Sequence, residues 1–371
     1  MRKQTLLFIL GTRPEAIKLS PLIKICQERE AYFDVKVCMT GQHRELVDNV
    51  LEYFGIIPDF DLKIMAPQQT LTSITTRTLA GIEPILTELQ PDWVIVQGDT
   101  TAAFSGALAA FYQQIKIAHV EAGLRSFDIY APYPEEINRQ FISRLAAIHF
   151  APTEGNRQNL LKEGVPNSSI YLVGNTVVDA LNWTIEKEKA SFSNENHHYS
   201  EKRIILVTAH RRENWGAGML RIAEALKQLA IMEPNIEITI VRHPNPEVSN
   251  AMLLVLKDIP QIIWMPPLDY KMFTRLMYEA YFILTDSGGV QEEATALHKP
   301  VLVMRDKTER DEILTSGSAI LVGTHSNSIV EQCHLLLTDE ALYKSMTQSE
   351  TPFGDGQASI RIADFIEKYQ K

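Results

Sequence analysis

Residues Val96–Arg139 read VQGDTTAAFSGALAAFYQQIKIAHVEAGLRSFDIYAPYPEEINR and are the most informative segment of this chain. Its apolar runs are typical of buried parallel strands, which helices connect in an α/β sheet. Four acids follow these runs or begin the next helix: Asp99, Glu121, Glu135 and Glu136. Ligands bind at the carboxyl edge of such sheets. Burying several acids there lowers the stability of the fold unless they are paired, so acids found at this edge are expected to have a function. The segment therefore predicts an enzyme that uses carboxylates for proton transfer, with a metal site as the main alternative.

The same alternation of apolar runs and amphipathic segments continues on both sides of this segment. A first series of predicted strands comprises Thr5–Leu10, Val35–Met39, Trp93–Gln97, Ile117–Val120, Ile148–Ala151 and Ile170–Val173. A second series comprises Arg203–Thr208, Ile236–Val241, Ile262–Met265, Phe282–Thr285, Val301–Met304 and Ala319–Val322. The polar stretch Lys187–Lys202 between the two series predicts an excursion over the surface. We therefore expect an α/β fold of two Rossmann-type, doubly wound domains, 1–173 and 174–356, whose sheet edges face one cleft.

Composition limits the class of protein without naming a reaction. The chain has 371 residues, 45% of them hydrophobic, and a formal net charge of -10, which argues against a nucleic-acid partner or an anionic membrane surface. Its three cysteines are far apart and form no CxxC pair, as expected of reduced packing residues in a cytoplasmic protein. The apolar run Leu6–Leu10 is too short for a signal peptide or a membrane span, so it is read as the first strand.

The clearest phosphate-binding pattern lies in the second half of the chain. Ser287-Gly288-Gly289 follows a predicted strand at the start of a predicted helix, where free N–H groups and the helix dipole attract anions. One turn later, Glu292 and Glu293 could accept hydrogen bonds from a ribose diol. A helix-start turn without a ligand is the alternative interpretation.

Two further patterns follow predicted strands. Gly11-Thr-Arg-Pro-Glu places Arg13, a forked and permanently charged donor suited to a diphosphate, at a helix start. His210, followed by Arg211 and Arg212, is a candidate proton carrier or charge partner for a leaving diphosphate. The alternatives are a solvated loop arginine and a structural histidine.

Taken in order, eleven blocks spread over nearly the whole chain resemble the non-hydrolysing UDP-N-acetylglucosamine 2-epimerases. They are GTRPEAIKLSPLI at 11–23, GQHRE at 41–45, QGDTT at 97–101, HVEAGLRS at 119–126, PYPEEINR at 132–139, FAPTE at 150–154, VGNTVVDAL at 173–181, TAHRREN at 208–214, LTDSGGVQEEA at 284–294, KPVLVMRDKTER at 299–310 and PFGDGQAS at 352–359.

This resemblance implies a glycosyltransferase-B-like fold and a homodimer whose last helix, within 357–371, packs on the N-terminal domain. It implies a nucleotide-sugar substrate: UDP-N-acetylglucosamine and UDP-N-acetylmannosamine are interconverted by elimination and re-addition of UDP through 2-acetamidoglucal. Neither a metal nor a nicotinamide cofactor takes part. The product would serve as a precursor of bacterial surface polysaccharide.

The resemblance also assigns residues, block by block. The catalytic set it implies is Asp99, Glu121, Glu135 and His210. The set implied for binding UDP and the sugar is Arg13, Lys18, Arg139, Asn175, Ser287, Gly288, Gly289 and Glu293. Glu136 lies outside both sets and is interpreted as a helix-start acid favoured by the dipole.

Many bacterial members bind a second substrate molecule as an activator. Of the residues implied for that site, this chain keeps Gln42, His43, Arg211 and His243. It carries Glu45 in place of a glutamine and Gln68 in place of an arginine. Both changes disfavour a diphosphate electrostatically, so the sequence predicts the loss of this activation.

Four other functions remain open at this point. They are a glycosyltransferase of the same fold, a hydrolysing epimerase, an epimerase of a diacetamido-uronate sugar nucleotide, and a nucleotide-sugar sensor without catalysis. The fold alone does not separate them. The carboxylates after the strands favour an epimerase over a glycosyltransferase.

Overall fold

The computed structural model describes residues 2–41, 44–66, 69–194, 202–243 and 246–369, with backbone alone for 44–46, 190–194 and 246–249. The chain divides into two compact units: unit 1 is Met1–Trp183 with Phe353–Lys371, and unit 2 is Thr184–Pro352. Both units are α/β, as the apolar runs predicted.

Unit 1 is built on one seven-stranded sheet with the order β3-β2-β1-β4-β5-β6-β7, in which all neighbouring strands are parallel. Its strands are β1 Gln4–Leu10, β2 Phe33–Met39, β3 Phe60–Asp61, β4 Trp93–Gln97, β5 Lys116–Val120, β6 Ile148–Ala151 and β7 Ile170–Leu172. Its helices are α1 Arg13–Glu28, α2 Arg44–Phe54, α3 Leu71–Leu89, α4 Thr101–Tyr112, α5 Glu135–Leu145, α6 Glu154–Lys162, the first part of α7 Thr176–Asn194, and α15 Ala358–Lys368.

Unit 2 repeats this plan with a six-stranded parallel sheet of order β10-β9-β8-β11-β12-β13. Its strands are β8 Arg203–Thr208, β9 Ile236–Val241, β10 Ile262–Met265, β11 Phe282–Thr285, β12 Val301–Val303 and β13 Ala319–Leu321. Its helices are α8 Ala217–Met232, α9 Pro246–Leu256, α10 Tyr270–Glu279, α11 Gly288–Ala296, α12 Asp311–Thr315, α13 Ser326–Thr338 and α14 Glu340–Thr347.

In each sheet, the strand order reverses beside the first strand of the unit. In unit 1 the reversal lies between β1 and β4, and in unit 2 it lies between β8 and β11. This is the Rossmann order, in which loops after the two central strands diverge and leave a crevice for a ligand. The predicted fold class is confirmed, and the loops after these strands are the place to look for a site. The predicted cleft between the two domains stays a prediction.

Tight packing fixes the central strands of unit 1. Ile9 of β1 lies against α4, where an added Cβ at Gly106 would be 3.0 Å from the Ile9 side chain. The neighbouring α4 residues Ala103 and Ala107 are also fully buried in the same apolar cluster. Small residues on α4 therefore let the helix approach the sheet closely, which holds the loop before it in place.

The division between the units lies ten residues later than the sequence boundary at 173/174. The reason is helix α7, whose first turns pack on unit 1: the rings of Trp183 and Phe54 are stacked with centroids 4.4 Å apart. The same helix extends to Asn194, so the first part of the polar stretch predicted as a surface excursion is helical.

The chain returns to unit 1 at Phe353. The carboxylate of Asp179 in α7 accepts hydrogen bonds from the backbone N–H groups of Ala358 (3.3 Å) and Ser359 (2.7 Å) at the start of α15. Gly174 makes room for this crossing, because a Cβ there would be 3.2 Å from the carbonyl oxygen of Phe353. Helix α15 then packs beside α1.

Candidate active site

The loop after β1 carries Arg13 at the first position of α1. Glu15 holds this loop: its Oε2 accepts hydrogen bonds from the backbone N–H groups of Gly11 (3.0 Å) and Thr12 (2.6 Å). Its Oε1 accepts from the hydroxyl of Thr100 (2.7 Å), in the loop after β4. Burial raises the pKa of Glu15, and these hydrogen bonds oppose the rise. One buried carboxylate therefore links the two loops at the reversal of strand order.

Asp99 lies in that second loop, where Gly98 has a positive φ of 69°. Its Oδ2 accepts hydrogen bonds from Arg139 Nε (3.0 Å) and Nη2 (2.5 Å). The side chain of Asn138 donates to the backbone carbonyl of Asp99 at 3.0 Å. Helix α5 thus fixes both the side chain and the backbone of Asp99. Arg139, assigned to the substrate by resemblance, is an ion-pair partner of the proposed base in this structure.

Glu121 follows β5, the strand beside β4, and adopts a positive φ of 63°. Its Oε2 lies 2.6 Å from Lys18 Nζ and accepts a second hydrogen bond, also 2.6 Å, from Gln97. The side chains of Lys18 and Glu121 are only 8% and 10% exposed. The left-handed backbone at this strand end turns Glu121 into contact with both α1 and β4.

Glu135 and Glu136 begin α5 but have different surroundings. Glu135 is half-buried, whereas Glu136 is fully buried. Glu136 Oε2 accepts hydrogen bonds from the backbone N–H of Ser126 (2.9 Å) and from Arg139 Nη1 (3.2 Å). The interpretation of Glu136 as a helix-start acid alone is therefore incomplete. It anchors the loop after β5 and forms an ion pair with Arg139, which is also paired with Asp99.

In unit 2, the loop after β8 carries His210, and Asp286 follows β11. Both strands flank the reversal of strand order. The fully buried carboxylate of Asp286 accepts hydrogen bonds from the backbone N–H groups of His210 (2.9 Å) and Arg211 (2.9 Å) and from the side chain of Asn214 (3.0 Å). The imidazole of His210 stacks on His243, with centroids 5.6 Å apart. Burial lowers the pKa of His210, opposed by Asp286.

Helix α11 begins at Gly288, with Ser287 as its N-cap residue. The Ser287 N–H donates to the hydroxyl of Thr285 at 3.0 Å. The guanidinium of Arg310 lies against Gly288, where an added Cβ would be 2.4 Å from Nη1. Glu292 accepts hydrogen bonds from this guanidinium at 2.8 and 2.7 Å and so forms an ion pair with Arg310. Glu293 remains the acid predicted to bind the ribose.

The structure describes some of the remaining predicted residues and not others. The amide of Asn175 accepts from the backbone N–H of Val177 at 3.1 Å, which places it at the start of α7. Arg211 donates through Nε to the backbone carbonyl of Asp286 at 3.3 Å, and burial lowers its pKa. Gln42, His43 and Gln68 lie outside the described residues, as does the side chain of Glu45.

Two structural residues, Glu15 and Asp286, were not singled out from the sequence, and the contacts of Glu136 were not predicted. A signal existed for Glu15, because Thr12 and Glu15 have the T-x-x-E spacing of a capping box. Asp286 had the weaker signal of an acid at the end of an apolar strand. The long-range partners of all three could not be seen in local spacing.

The described residues include neither a candidate metal-binding group nor a helix suited to span a membrane. These residues contain no group of three or more His, Cys, Asp or Glu side chains arranged to hold a metal ion. Among the helices that the structure describes, none combines the length and apolar character that a membrane span requires. Burial raises the pKa of the Cys26 and Cys38 thiols to about 12, so both are packing residues.

Comparison with known proteins gives consistent matches over nearly the whole chain. The family model described as UDP-N-acetylglucosamine 2-epimerase matches residues 25–367. A UDP-N-acetylglucosamine 2-epimerase from Yersinia pestis is 49% identical over 376 residues, covering 98% of each chain. Another from Escherichia coli K12 is 48% identical over 368 residues, covering 97% of this chain and 98% of the relative.

Solved structures agree with these relatives. The crystal structure of UDP-GlcNAc 2-epimerase from Neisseria meningitidis, bound to UDP-GlcNAc, matches with a TM-score of 0.93 and 42% identity, covering 98% of this chain and 100% of that one. The Rossmann-type units described above are thus those of a glycosyltransferase-B-like fold, and the names of the relatives support epimerase activity. The chain belongs to the UDP-N-acetylglucosamine 2-epimerase family.

Proposed function

We propose that this protein reversibly converts UDP-N-acetylglucosamine into UDP-N-acetylmannosamine by a non-hydrolysing mechanism. The observation that carries the proposal is the arrangement of Asp99 and Glu121 at the carboxyl ends of adjacent parallel strands, each held by a cation. Lys18 holds Glu121 and Arg139 holds Asp99. Inversion at one carbon requires proton removal on one face and delivery on the other, so the reaction needs two proton-transfer groups, and two fixed carboxylates are a pair of the required chemical type.

The proposed reaction has two halves. In the first, a carboxylate removes the proton from C2 of the sugar while the bond between C1 and the UDP oxygen breaks, which gives 2-acetamidoglucal and UDP. In the second, a proton is delivered to C2 from the opposite face and the UDP oxygen adds back to C1. The set proposed for the proton transfers is Asp99, Glu121 and Glu135. Both 2-acetamidoglucal and UDP stay bound between the two halves, which distinguishes this reaction from hydrolysis.

Because a C2–H bond is weakly acidic, the departing diphosphate must be stabilised as the proton is removed. His210, Arg13 and the start of α11 are proposed for this task. The surroundings of Ser287 support it, since the α11 start offers backbone N–H groups to an anion. Glu293 is proposed to bind the ribose, and Lys18, Arg139 and Asn175 complete the proposed substrate set.

Three further parts of the proposal depend on family membership: a homodimer, a cytoplasmic location and a role in supplying surface polysaccharide precursors. Unit 1 offers one feature that suits a dimer. Helix α4 presents Phe111 and Tyr112 to solvent, and the exposed ring of Phe141 lies 5.5 Å from that of Phe104. Apolar residues exposed together in this way are typical of protein–protein interfaces.

The decisive experiment incubates the protein with UDP-N-acetylglucosamine in D2O without added metal or nicotinamide and resolves the products by NMR. We expect UDP-N-acetylmannosamine with deuterium at C2, and C2-deuterated UDP-N-acetylglucosamine from the reverse reaction. Free N-acetylmannosamine with UDP would indicate a hydrolysing enzyme instead. Binding without any product would indicate a sensor. Reaction only with a diacetamido-uronate nucleotide, or only with an added acceptor, would favour the other two alternatives.

A further inference from the structure

Asp286 has a buried carboxylate that touches the proposed diphosphate partner His210. It is fully buried directly after β11, and its Oδ1 lies 3.4 Å from Nδ1 of the His210 imidazole. Distances of this kind are often long in ligand-free enzymes and shorten when the ligand binds. The same side chain therefore contacts both the backbone and the ring of His210.

The two oxygens of Asp286 have different partners. Oδ2 accepts three hydrogen bonds: from the backbone N–H groups of His210 (2.9 Å) and Arg211 (2.9 Å) and from the Asn214 amide (3.0 Å). Oδ1 shares the His210 N–H at 3.1 Å and is the oxygen that faces the ring. Oδ2 thus fixes the loop, and Oδ1 faces the ring, where it can accept a hydrogen bond from Nδ1–H.

The charged groups around the ring act in opposite directions. Burial lowers the pKa of His210, and Arg211 in the same loop and His243 after β9 lower it further. The Asp286 charge alone raises it. A second anion beside the ring would therefore act in the same direction as Asp286 and favour the protonated imidazole.

We propose that Asp286 is the positioning residue of His210: it accepts a hydrogen bond from Nδ1–H, which leaves Nε2 to take up a proton when a diphosphate oxygen approaches. The proton comes from the buffer, and the imidazolium then lies between two anions. This inference rests on the proposed function, since the incoming anion is the diphosphate of UDP. It extends that function by giving the source of the charge that stabilises the leaving group.

The first test uses the ligand-free protein labelled with 15N-histidine, with His210→Asn to assign the His210 signals. Two-bond 1H–15N correlations should show the Nδ1–H tautomer in the wild type. In Asp286→Asn, the amide oxygen should take the Oδ2 position with its three donors, which turns the amide NH2 toward the ring. We therefore expect the Nε2–H tautomer, with the His210 pKa lower by at least about one pH unit.

The matched control is Asn214→Ala. It removes one donor from the same carboxylate while leaving the charge in place, so the Nδ1–H tautomer should persist. The ring of His334, whose Nδ1 lies 2.7 Å from Glu233 Oε1 in unit 2, is an internal reference for intact folding of the unit that carries Asp286. The inference is overturned if wild-type His210 is the Nε2–H tautomer, or if Asp286→Asn with intact His334 signals leaves the tautomer and the pKa unchanged.

The second test measures UDP binding by calorimetry at pH 7.5 in two buffers of different ionisation enthalpy. The difference in proton uptake between the wild type and His210→Asn isolates the imidazole and should approach one proton. In Asp286→Asn this uptake should fall by at least half, and turnover should fall about ten-fold or more. If UDP fails to bind the wild type, the proposed function fails. If UDP binds and the uptake is the same in Asp286→Asn, this inference alone fails.

Discussion

Replacing Lys18 with methionine should destabilise unit 1 strongly, because Glu121 would remain buried without its cation. The pair is 2.6 Å apart, with side chains only 8% and 10% exposed. At an effective dielectric constant of about 20, two unit charges at this distance attract by roughly 6 kcal/mol. Desolvation cancels much of this gain, yet removing one partner from a buried pair costs about 3–5 kcal/mol. We expect a loss of that size for Lys18→Met.

The measurement is urea and thermal unfolding of Lys18→Met, Glu121→Gln and the double variant. For a unit of this size, about 3–5 kcal/mol corresponds to a decrease in Tm of roughly 6–20 °C. The double variant should be more stable than Lys18→Met, because no uncompensated charge is left, and the coupling between the two positions should be about 1–3 kcal/mol.

The chain offers a matched control in Lys344 and Glu340, which are also 2.6 Å apart but have side chains 62% and 78% exposed. Lys344→Met should cost less than about 1 kcal/mol, because water screens an exposed pair. If the two lysine variants lose the same stability, burial is not what makes the Lys18 pair important. Additive effects of Lys18→Met and Glu121→Gln would likewise refute the reasoning.

Four further outcomes are expected. Asp99→Asn, Glu121→Gln and Glu135→Gln should each lower turnover by about 10²–10⁴ while UDP affinity stays near wild type; near-normal turnover in all three would remove the carboxylate assignment. EDTA should leave turnover unchanged, and activity lost to EDTA and restored by a divalent ion would contradict the metal-free mechanism. Velocity should follow a hyperbola in UDP-N-acetylglucosamine, whereas a sigmoidal curve, or a reverse reaction that waits for this substrate, would show that the activator site survives. Gly164→Ala should lower the free energy of unfolding by about 1–2 kcal/mol, because Gly164 has a positive φ. Gly123→Ala should lower it by about 4 kcal/mol or more, because the added Cβ would be 2.2 Å from the Asn156 carbonyl oxygen. Equal losses of stability in the two variants would contradict the steric argument.

The strands could be predicted closely because buried parallel strands are continuous apolar runs. The strand Trp93–Gln97 was predicted with its observed bounds, for example. Strand β3 was missed because it has two residues, Phe60 and Asp61, and no apolar run. It exists because β2 offers it backbone partners: the N–H of Leu62 donates to the carbonyl of Met39 at 2.9 Å. Such a strand is a product of tertiary pairing.

For the candidate site, the sequence predicted which acids follow strands but not which cations hold them. Lys18 and Glu121 are 103 residues apart, and Arg139 and Asp99 are 40 residues apart. The neighbouring acids of α5 also looked alike in sequence. A helix turns by about 100° per residue, so adjacent side chains point in different directions, and Glu136 became buried.

The return of the chain at Phe353 also determines the order in which the units can be completed during synthesis. Unit 2 is one continuous segment, Thr184–Pro352, so all of its strands are synthesised before α15. Unit 1 begins first but lacks α15, and the cap that Asp179 provides for it, until Ala358–Lys368 has been synthesised. The helical cover of unit 1 is therefore completed after unit 2, and a nascent chain stalled within unit 2 exposes the side of α1 that α15 later covers.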